Sequence, residues 1–180
     1  MSAQLISNLL PAASRVIGGV IGIKTSLWLS MRVEDITGLK LSTFFANIPP
    51  SILQVSSNCK DLISMPIKWI NRKSISLVGE RTTAIFIAPI HEEAFYRLVL
   101  QGGIVFSLTT IGIPSFLATA IGVWCQSFQF ALGHDSRIIS QRFSDTMLAG
   151  VILGLIQTYG SFPEAVLTHA IYNLLMSLEL

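Results

Sequence analysis

Charged residues are unevenly distributed along the chain, and the stretches without them predict its helices. Residues 98–133 contain no Asp, Glu, Lys, Arg or His. Because a membrane crossing needs about 20 residues, this stretch has room for two elements, with a break near Gly112. We therefore expect one helix to end near Leu108 and a second helix to run from about Ile113 to Gly133.

Two further apolar segments, Thr146 to Phe162 and Ala165 to Leu178, follow a short connector of balanced charge around residues 135–145. Gly160 and Pro163 lie where these segments meet, and they predict a helix stop followed by a restart. Each segment is barely long enough to span a bilayer.

The first third of the chain has a less regular pattern. Four basic residues interrupt its apolar stretches at spacings of eight or nine residues: Arg15, Lys24, Arg32 and Lys40. This pattern leaves spanning, interfacial and re-entrant helices open. We therefore expect residues 1–79 to form N-terminal helices of undecided membrane topology.

The composition agrees with a chain that is surrounded by lipid. Apolar residues make up 51% of the sequence and charged residues 12%, and the mean hydropathy is +0.64. Soluble domains carry about twice that charge density, so the apolar area of this chain needs another solvent. We predict an all-α, polytopic transmembrane helix bundle, an integral multi-pass membrane protein. A net charge of +2 without a basic stripe argues against a nucleic-acid partner.

Ionisable and amide side chains recur in the apolar C-terminal half, where hydrocarbon penalises them. They come from three predicted helices: Glu92, Glu93 and Arg97, then His134, then His169 and Asn173. Polar residues at membrane depth are functional candidates. Their least unfavourable arrangement is around one hydrated internal cavity.

Helical spacing assigns these side chains to faces. Glu93 and Arg97 are four residues apart, with the acid first, and read as an ion pair. Glu92 points about 100° away from Glu93 and is free to meet another partner. His169 and Asn173 again share one face. An ion pair that only pins helices together would explain the acidic cluster by itself, and a satisfied core histidine would explain His169 by itself.

Three short motifs occur in order on these helices. They are EExxxR from Glu92 to Arg97, FxxxH from Phe130 to His134, and HxxxN from His169 to Asn173. In that order they resemble the motifs of the CAAX-protease and bacteriocin-processing (CPBP) family of intramembrane endopeptidases, which includes the Ras-converting enzyme. The resemblance covers roughly residues 80 to 178, and it implies that residues 80–180 are the catalytic core.

The resemblance also implies a mechanism and a partner. It implies hydrolysis of a bond in a peptide or a membrane-anchored protein, by a water that Glu92, as general base, activates together with His134. It assigns His169 and Asn173 to stabilising the oxyanion, which suits the N–H donors of an imidazole and an amide. In this scheme Arg97 holds Glu93 and thereby orients the helix.

Two kinds of alternative stay open. One carboxylate and two histidines are also a zinc ligand set, but the HExxH pattern is absent because Phe95 stands where the second histidine would follow His91. We therefore expect no cofactor, with zinc as the competing mechanism. The alternative functions are a non-catalytic membrane scaffold or immunity-type protein of the same fold, and a transporter whose Glu and His residues relay protons.

Overall fold

The computed structural model of the chain describes residues 3–37, 65–134 and 141–178. These residues form helices and short connections, and no strand occurs among them. In chain order the helices are α1 (Ala3–Thr37), α2 (residues 65–78), α3 (Glu80 to Thr110), α4 (Ser115–His134), α5 (Gln141–Tyr159) and α6 (Phe162–Leu178). The all-α class is therefore confirmed for the described part of the chain. Most of the predicted polar connector, residues 135–140, lies outside it.

Helix α1 is a single helix of 35 residues and contains Pro11. Val16, Val20 and Ile23 are buried on a helix that packs against α5 and α6. Ile17 and Trp28 are more than half exposed. Apolar side chains thus occupy both the packed and the outward faces of α1. The rest of the first third, including Lys40, lies outside the described residues.

Helix α3 is continuous, but its hydrogen-bond register changes along its length. Thr83–Ile87 and Ala94–Gln101 are π-helical, and the α-helical segment Ala88–Glu93 lies between them, with Pro89 at its start. Glu92 and Arg97 therefore lie on either side of a change of register. Single π-turns are rare and occur frequently at functional sites.

Helix α3 ends in a turn at Gly112, before α4 begins. Gly112 has φ +89°, and its N–H donates to the carbonyl of Thr109, while the N–H of Ile113 donates to the carbonyl of Leu108. These two bonds form a Schellman motif, in which glycine is the usual left-handed residue. The predicted break at Gly112 is confirmed, with the helices ending and restarting within two residues of the expected positions.

Replacement of Gly112 by alanine tests this turn. Gly112→Ala is expected to lower the free energy of unfolding by about 1–2 kcal/mol, because a side chain penalises the left-handed conformation. A methyl group there would meet no atom within 4 Å, so the cost comes from the backbone. Gly103→Ala, inside α3 and equally uncrowded, is the matched control and should leave stability unchanged or raise it by up to about 1 kcal/mol. Equal effects in denaturant titrations would contradict this account.

Helices α4 and α5 pack closely at two glycines. A methyl group on Gly154 would lie 2.6 Å from Nε2 of Gln126, and one on Gly150 would lie 3.1 Å from Cα of Ser127. The close approach lets Nε2 of Gln126 donate to the carbonyl of Gly150 at 3.0 Å. Small residues and interhelical polar bonds of this kind are typical of helix packing in membranes.

Several large apolar side chains of the described residues are exposed, and two charged side chains are completely or almost completely buried. Leu77, Phe106 and Phe116 are more than 70% exposed, whereas Glu93 and Arg97 are 0% and 1% exposed. Large apolar residues outside and charges inside are expected when lipid is the solvent. By length and hydropathy, α4 is the one described helix able to cross a membrane. The predicted multi-pass topology is therefore not confirmed by these criteria.

Candidate active site

The ion pair expected from the four-residue spacing on α3 is present. Nε of Arg97 lies 2.9 Å from Oε2 of Glu93, and both side chains are completely buried. The guanidinium carbon of Arg97 also lies 5.0 Å from the centre of the Phe130 ring on α4, within the range of a cation–π contact. The pair therefore joins α3 to the FxxxH motif of α4.

Glu92 faces the two histidines. Its Oε2 lies 3.7 Å from Nε2 of His134 and 3.8 Å from Nε2 of His169. Both distances are too long for a direct hydrogen bond. A polar gap of this width suits a bridging water. Three side chains from α3, α4 and α6 thus surround a space where a single water can contact all of them.

The hydrogen-bond partner of Nδ1 shows which ring nitrogen of His134 carries the hydrogen. Nδ1 lies 2.9 Å from the carbonyl oxygen of Phe130, one turn earlier on α4. A carbonyl only accepts hydrogen bonds, so Nδ1 carries the hydrogen. In the neutral ring, Nε2 then presents a lone pair to Glu92. The carboxylate of Glu92 and this lone pair both accept hydrogen bonds. A molecule with two hydrogens to donate, such as water, can therefore bond to both.

His169 is fixed in the same way, and this changes the interpretation of its predicted role. Its Nδ1 lies 2.9 Å from Oε1 of Glu93, and the carboxylate that pairs with Arg97 is an acceptor, so Nδ1 carries the hydrogen. Nε2 of a neutral His169 is therefore an acceptor. A donor role toward an oxyanion needs the imidazolium form, in which both nitrogens donate.

The side-chain amide of Asn173 donates one hydrogen bond to the backbone of helix α3. Its Nδ2 donates to the carbonyl of Ala84 at 3.0 Å. In the π register of Thr83–Ile87, the donor for this carbonyl would be the N–H of residue 89, but that residue is a proline and has none. Asn173 supplies the missing hydrogen bond. One hydrogen of the amide remains for another acceptor.

Two cavities meet at the candidate site. The large cavity has a volume of about 490 Å³ and is bordered by His134, His169 and Asn173, with Ile23, Leu153 and Met176 among its apolar walls. The small cavity has a volume of about 270 Å³ and is bordered by Lys68 and Asn71 of α2 and by Glu92, Tyr96 and His134. Because His134 borders both cavities, the gap beside Glu92 lies at their junction.

The structure brings the predicted site residues together. Glu92, His134 and His169 converge, Glu93 and Arg97 lie directly behind them, and Asn173 borders the large cavity one helical turn from His169. The catalytic and orienting roles given to these six residues stay predictions, because proximity alone does not test them.

The sequence reasoning missed several residues at the site. Tyr96 is 3% exposed and stacks edge-on against Phe130, with ring centres 5.2 Å apart. Its position four residues after Glu92 places it on the same helix face, which is a signal that the spacing contained. Lys68 and Asn71 carry no comparable signal, since only the tertiary packing of α2 brings them to the small cavity.

Glu92, His134 and His169 offer ligand types that zinc also uses. No group of three or more His, Cys, Asp or Glu side chains in the described ranges could hold a metal ion. Nδ1 of His169 bonds to Glu93 and Nδ1 of His134 bonds to the Phe130 carbonyl, and a histidine that binds a metal through its other nitrogen makes the same kind of bond. The metal-free mechanism stays a prediction.

A carboxylate and two imidazoles from three helices thus face one another where two cavities meet, in a protein with many exposed apolar side chains. A family model described as Type II CAAX prenyl endopeptidase Rce1-like matches residues 75–175, more than half of the 180 residues. The chain therefore belongs to the Rce1-like family of membrane-embedded proteases, which confirms the resemblance seen in the three motifs. Comparisons with curated proteins and with solved structures give no significant match.

Proposed function

We propose that the chain is an intramembrane endopeptidase that hydrolyses a peptide bond with a water bound between Glu92 and His134. The observation that carries this proposal is the 3.7 Å gap between Oε2 of Glu92 and Nε2 of His134. Two acceptors facing each other are satisfied by a water that donates both of its hydrogens. The oxygen lone pair of that water then points away from them and is free to attack a carbonyl.

The reaction follows from this arrangement. The water oxygen forms a bond to the peptide carbonyl carbon, and its proton moves to Glu92. The carbonyl becomes a tetrahedral oxyanion, the C–N bond then breaks, and Glu92 returns the proton to the departing amine. The products are a carboxylic acid and an amine, and no other reactant is consumed. His134 orients the water, and its own position is fixed by the Phe130 carbonyl.

The oxyanion is stabilised from α6. His169 acts as an imidazolium, with Nδ1 bonded to Glu93 and Nε2 directed toward the gap beside Glu92. The free hydrogen of the Asn173 amide is the second donor. With His169 charged, two cations balance the carboxylates of Glu92 and Glu93, so the buried site carries no net charge before the oxyanion forms. Preorganised donors of this kind usually contribute strongly to catalysis.

The substrate class follows from the apolar surroundings and the family. The matching family is described as CAAX prenyl endopeptidases, and the large cavity offers apolar walls next to the site. We therefore infer a peptide or membrane-anchored protein substrate whose apolar part lies in the large cavity. The exposed apolar surfaces of α1, α3 and α4 support a multi-pass arrangement in the bilayer.

The proposal is tested by cleavage with the purified full-length chain in detergent micelles. Peptides that carry a lipidated or unmodified cysteine near the C-terminus are incubated with the protein, and the fragments are identified by mass spectrometry. Cleavage at one defined bond is the expected result. Binding of such peptides without any cleavage would favour the non-catalytic scaffold, and proton-coupled uptake into vesicles would favour a transporter.

The glutamate mechanism also predicts the effect of metal removal. Treatment with a strong chelator, followed by buffer exchange, should leave the cleavage rate within about twofold of the untreated protein. A bound zinc ion that activates water would be essential, so its removal would abolish the rate. Elemental analysis of the same sample is the accompanying measurement. Loss of cleavage that returns on addition of Zn²⁺ would establish the metal mechanism instead.

A further inference from the structure

Helix α2 presents cations and large apolar side chains on one outward face. At 100° per residue, five exposed positions lie within about 140° of one another on the helix. They are Met65, Lys68, Trp69, Arg72 and Lys73. The apolar members are well exposed, Trp69 at 58% and Met65 at 63%. Ile67, the buried residue of α2, projects from the opposite side.

The charge of this outward face is entirely positive. Residues 65–78 contain three cations and neither Asp nor Glu, so α2 more than accounts for the net charge of +2 of the whole chain. The next charged residues, Glu80 and Arg81, have opposite charges and offset each other. A surface of this kind is complementary to an anionic partner.

The length and composition of α2 suit a position at a bilayer surface. Its 14 residues extend over about 21 Å, whereas the hydrocarbon core is about 30 Å thick. Three cations at hydrocarbon depth would be penalised. At the interface the cations meet the headgroups, and the ring of Trp69 lies at the level where tryptophan is enriched. A bilayer surrounds the chain, because its family is membrane-embedded.

The opposite face of α2 packs at the candidate active site. Ile67 is buried in a cluster with Tyr96 and Phe130, and Asn71 borders the small cavity beside Glu92. The same helix therefore has one face at the site and one face that is free to meet the membrane surface. A partner that holds the outward face also holds the inward face in its place.

We propose that the outward face of α2 binds the headgroups of anionic phospholipids in the surrounding bilayer. An acidic protein fits this face less well, because Trp69 and Met65 are exposed among the cations and the acyl chains of a lipid supply apolar contacts next to its headgroup. The bound lipid stabilises the position of α2 beside Glu92, so anionic bilayers increase the rate of cleavage. Only this last step rests on the proposed peptidase function.

Fluorescence quenching of Trp69 measures the lipid preference without any cleavage. The exposed Trp28 and Trp124 are replaced by phenylalanine, which leaves Trp69 as the one tryptophan of the full-length chain. The protein is placed in nanodiscs of phosphatidylcholine with a minority of phosphatidylglycerol, and one of the two lipids carries brominated acyl chains that quench nearby tryptophan. Phosphatidylglycerol is expected to associate about 10- to 100-fold more tightly at low salt, since each interfacial cation contributes about fivefold.

Variants and salt identify the cause of this preference. The double variant Arg72→Gln/Lys73→Gln should bring the ratio of the two association constants to within about fivefold of one. Arg72→Lys keeps the charge and should keep the ratio. Salt at about 1 M, where the Debye length is about 3 Å, should remove most of the preference in the wild-type face. The matched control is Arg32→Gln on α1, an exposed arginine whose charge is offset by the exposed Asp35, and it should keep the ratio.

Three results would overturn the lipid proposal. One is a ratio near one for the unchanged face of α2, and another is a preference that the double variant retains. The third is a change in Trp69 emission caused by a soluble acidic peptide in nanodiscs of phosphatidylcholine alone, when phosphatidylglycerol has no effect. That result would assign the face to a protein partner.

Cleavage assays test the effect of the lipid on the site. The wild-type chain is expected to cleave about 3- to 10-fold faster in nanodiscs with phosphatidylglycerol than in phosphatidylcholine alone, because a ligand shifts a structural equilibrium by no more than its differential affinity. The double variant should cleave at the same rate in both. Equal wild-type rates would overturn the link between lipid and site. Absence of any Glu92-dependent cleavage would overturn the peptidase, and the quenching ratio would still decide whether α2 binds anionic lipid.

Discussion

Replacement of Glu92 by glutamine is expected to lower kcat/KM for peptide cleavage by about 10³- to 10⁴-fold. The amide keeps the shape of the side chain but takes no proton from the water and returns none to the departing amine. General acid–base catalysis contributes about 10²–10⁴-fold, and Glu92 serves both steps, which places the expected loss toward the upper end. The variant should still fold, because Glu92 makes no direct bond to its histidine neighbours.

The matched control for this experiment is Glu80→Gln. Glu80 begins α3, twelve residues before Glu92, and its side chain is exposed. Its replacement should leave cleavage within about twofold of the wild type. Thermal unfolding of both variants separates lost chemistry from lost structure. If Glu92→Gln cleaves as fast as the wild-type chain, Glu92 is not the base and the mechanism proposed above is wrong.

The sequence predicted those parts of the fold that depend on local rules. The break at Gly112 follows from a glycine in the left-handed conformation, and the restart at α6 places Pro163 in its first turn, where a proline is tolerated. The Glu93–Arg97 contact follows from four-residue spacing on one face. Each of these features is decided by residues within one or two turns of each other.

Other features depend on contacts between distant segments, and the sequence did not reveal them. His169 bonds through Nδ1 to Glu93, 76 residues earlier, and this contact fixes which ring nitrogen faces Glu92. The amide of Asn173 is shared with the carbonyl of Ala84 because the π register of α3 meets Pro89. Helical spacing predicts which side chains share a face, but it does not specify the partner or the tautomer.

The contribution of α2 shows the same limit at the level of the site. The three motifs identify α3, α4 and α6, and the small cavity is completed by Lys68 and Asn71 from a segment without a motif. A lysine at a helix surface is usually solvated, so its sequence context gave no reason to select it. Only the packing of α2 beside Glu92 and Tyr96 brings these residues to the candidate site.

Removal of Arg97 is expected to be strongly destabilising. Arg97→Met should lower the free energy of unfolding by about 3–5 kcal/mol, because it leaves the carboxylate of Glu93 buried without its main counter-ion. Both members of this pair are completely buried, so water cannot compensate for the loss. His169 still bonds to Glu93 in this variant. Its single hydrogen bond does not replace the guanidinium of Arg97.

A double-mutant cycle measures the coupling within the pair. Glu93→Gln leaves Arg97 buried and unpaired and should be similarly destabilising, whereas the combination with Arg97→Met removes both charges. The double variant should therefore cost less than the sum of the single variants. Unfolding is followed in detergent by denaturant titration. Arg97→Lys, which keeps the charge but loses the planar fork, should fall between Arg97→Met and the wild type and provides a variant that still folds.

The matched control for the cycle is Arg72→Met, a similar change at an exposed position of α2. Surface substitutions usually change stability by no more than about 0.5 kcal/mol. A loss of less than about 1 kcal/mol in Arg97→Met would show that the pair is not a structural support. The cycle also bears on catalysis, since Glu93 connects Arg97 to His169. The double variant could regain stability without regaining cleavage. That result would indicate that the Glu93 carboxylate positions the His169 imidazole in addition to holding the helices together.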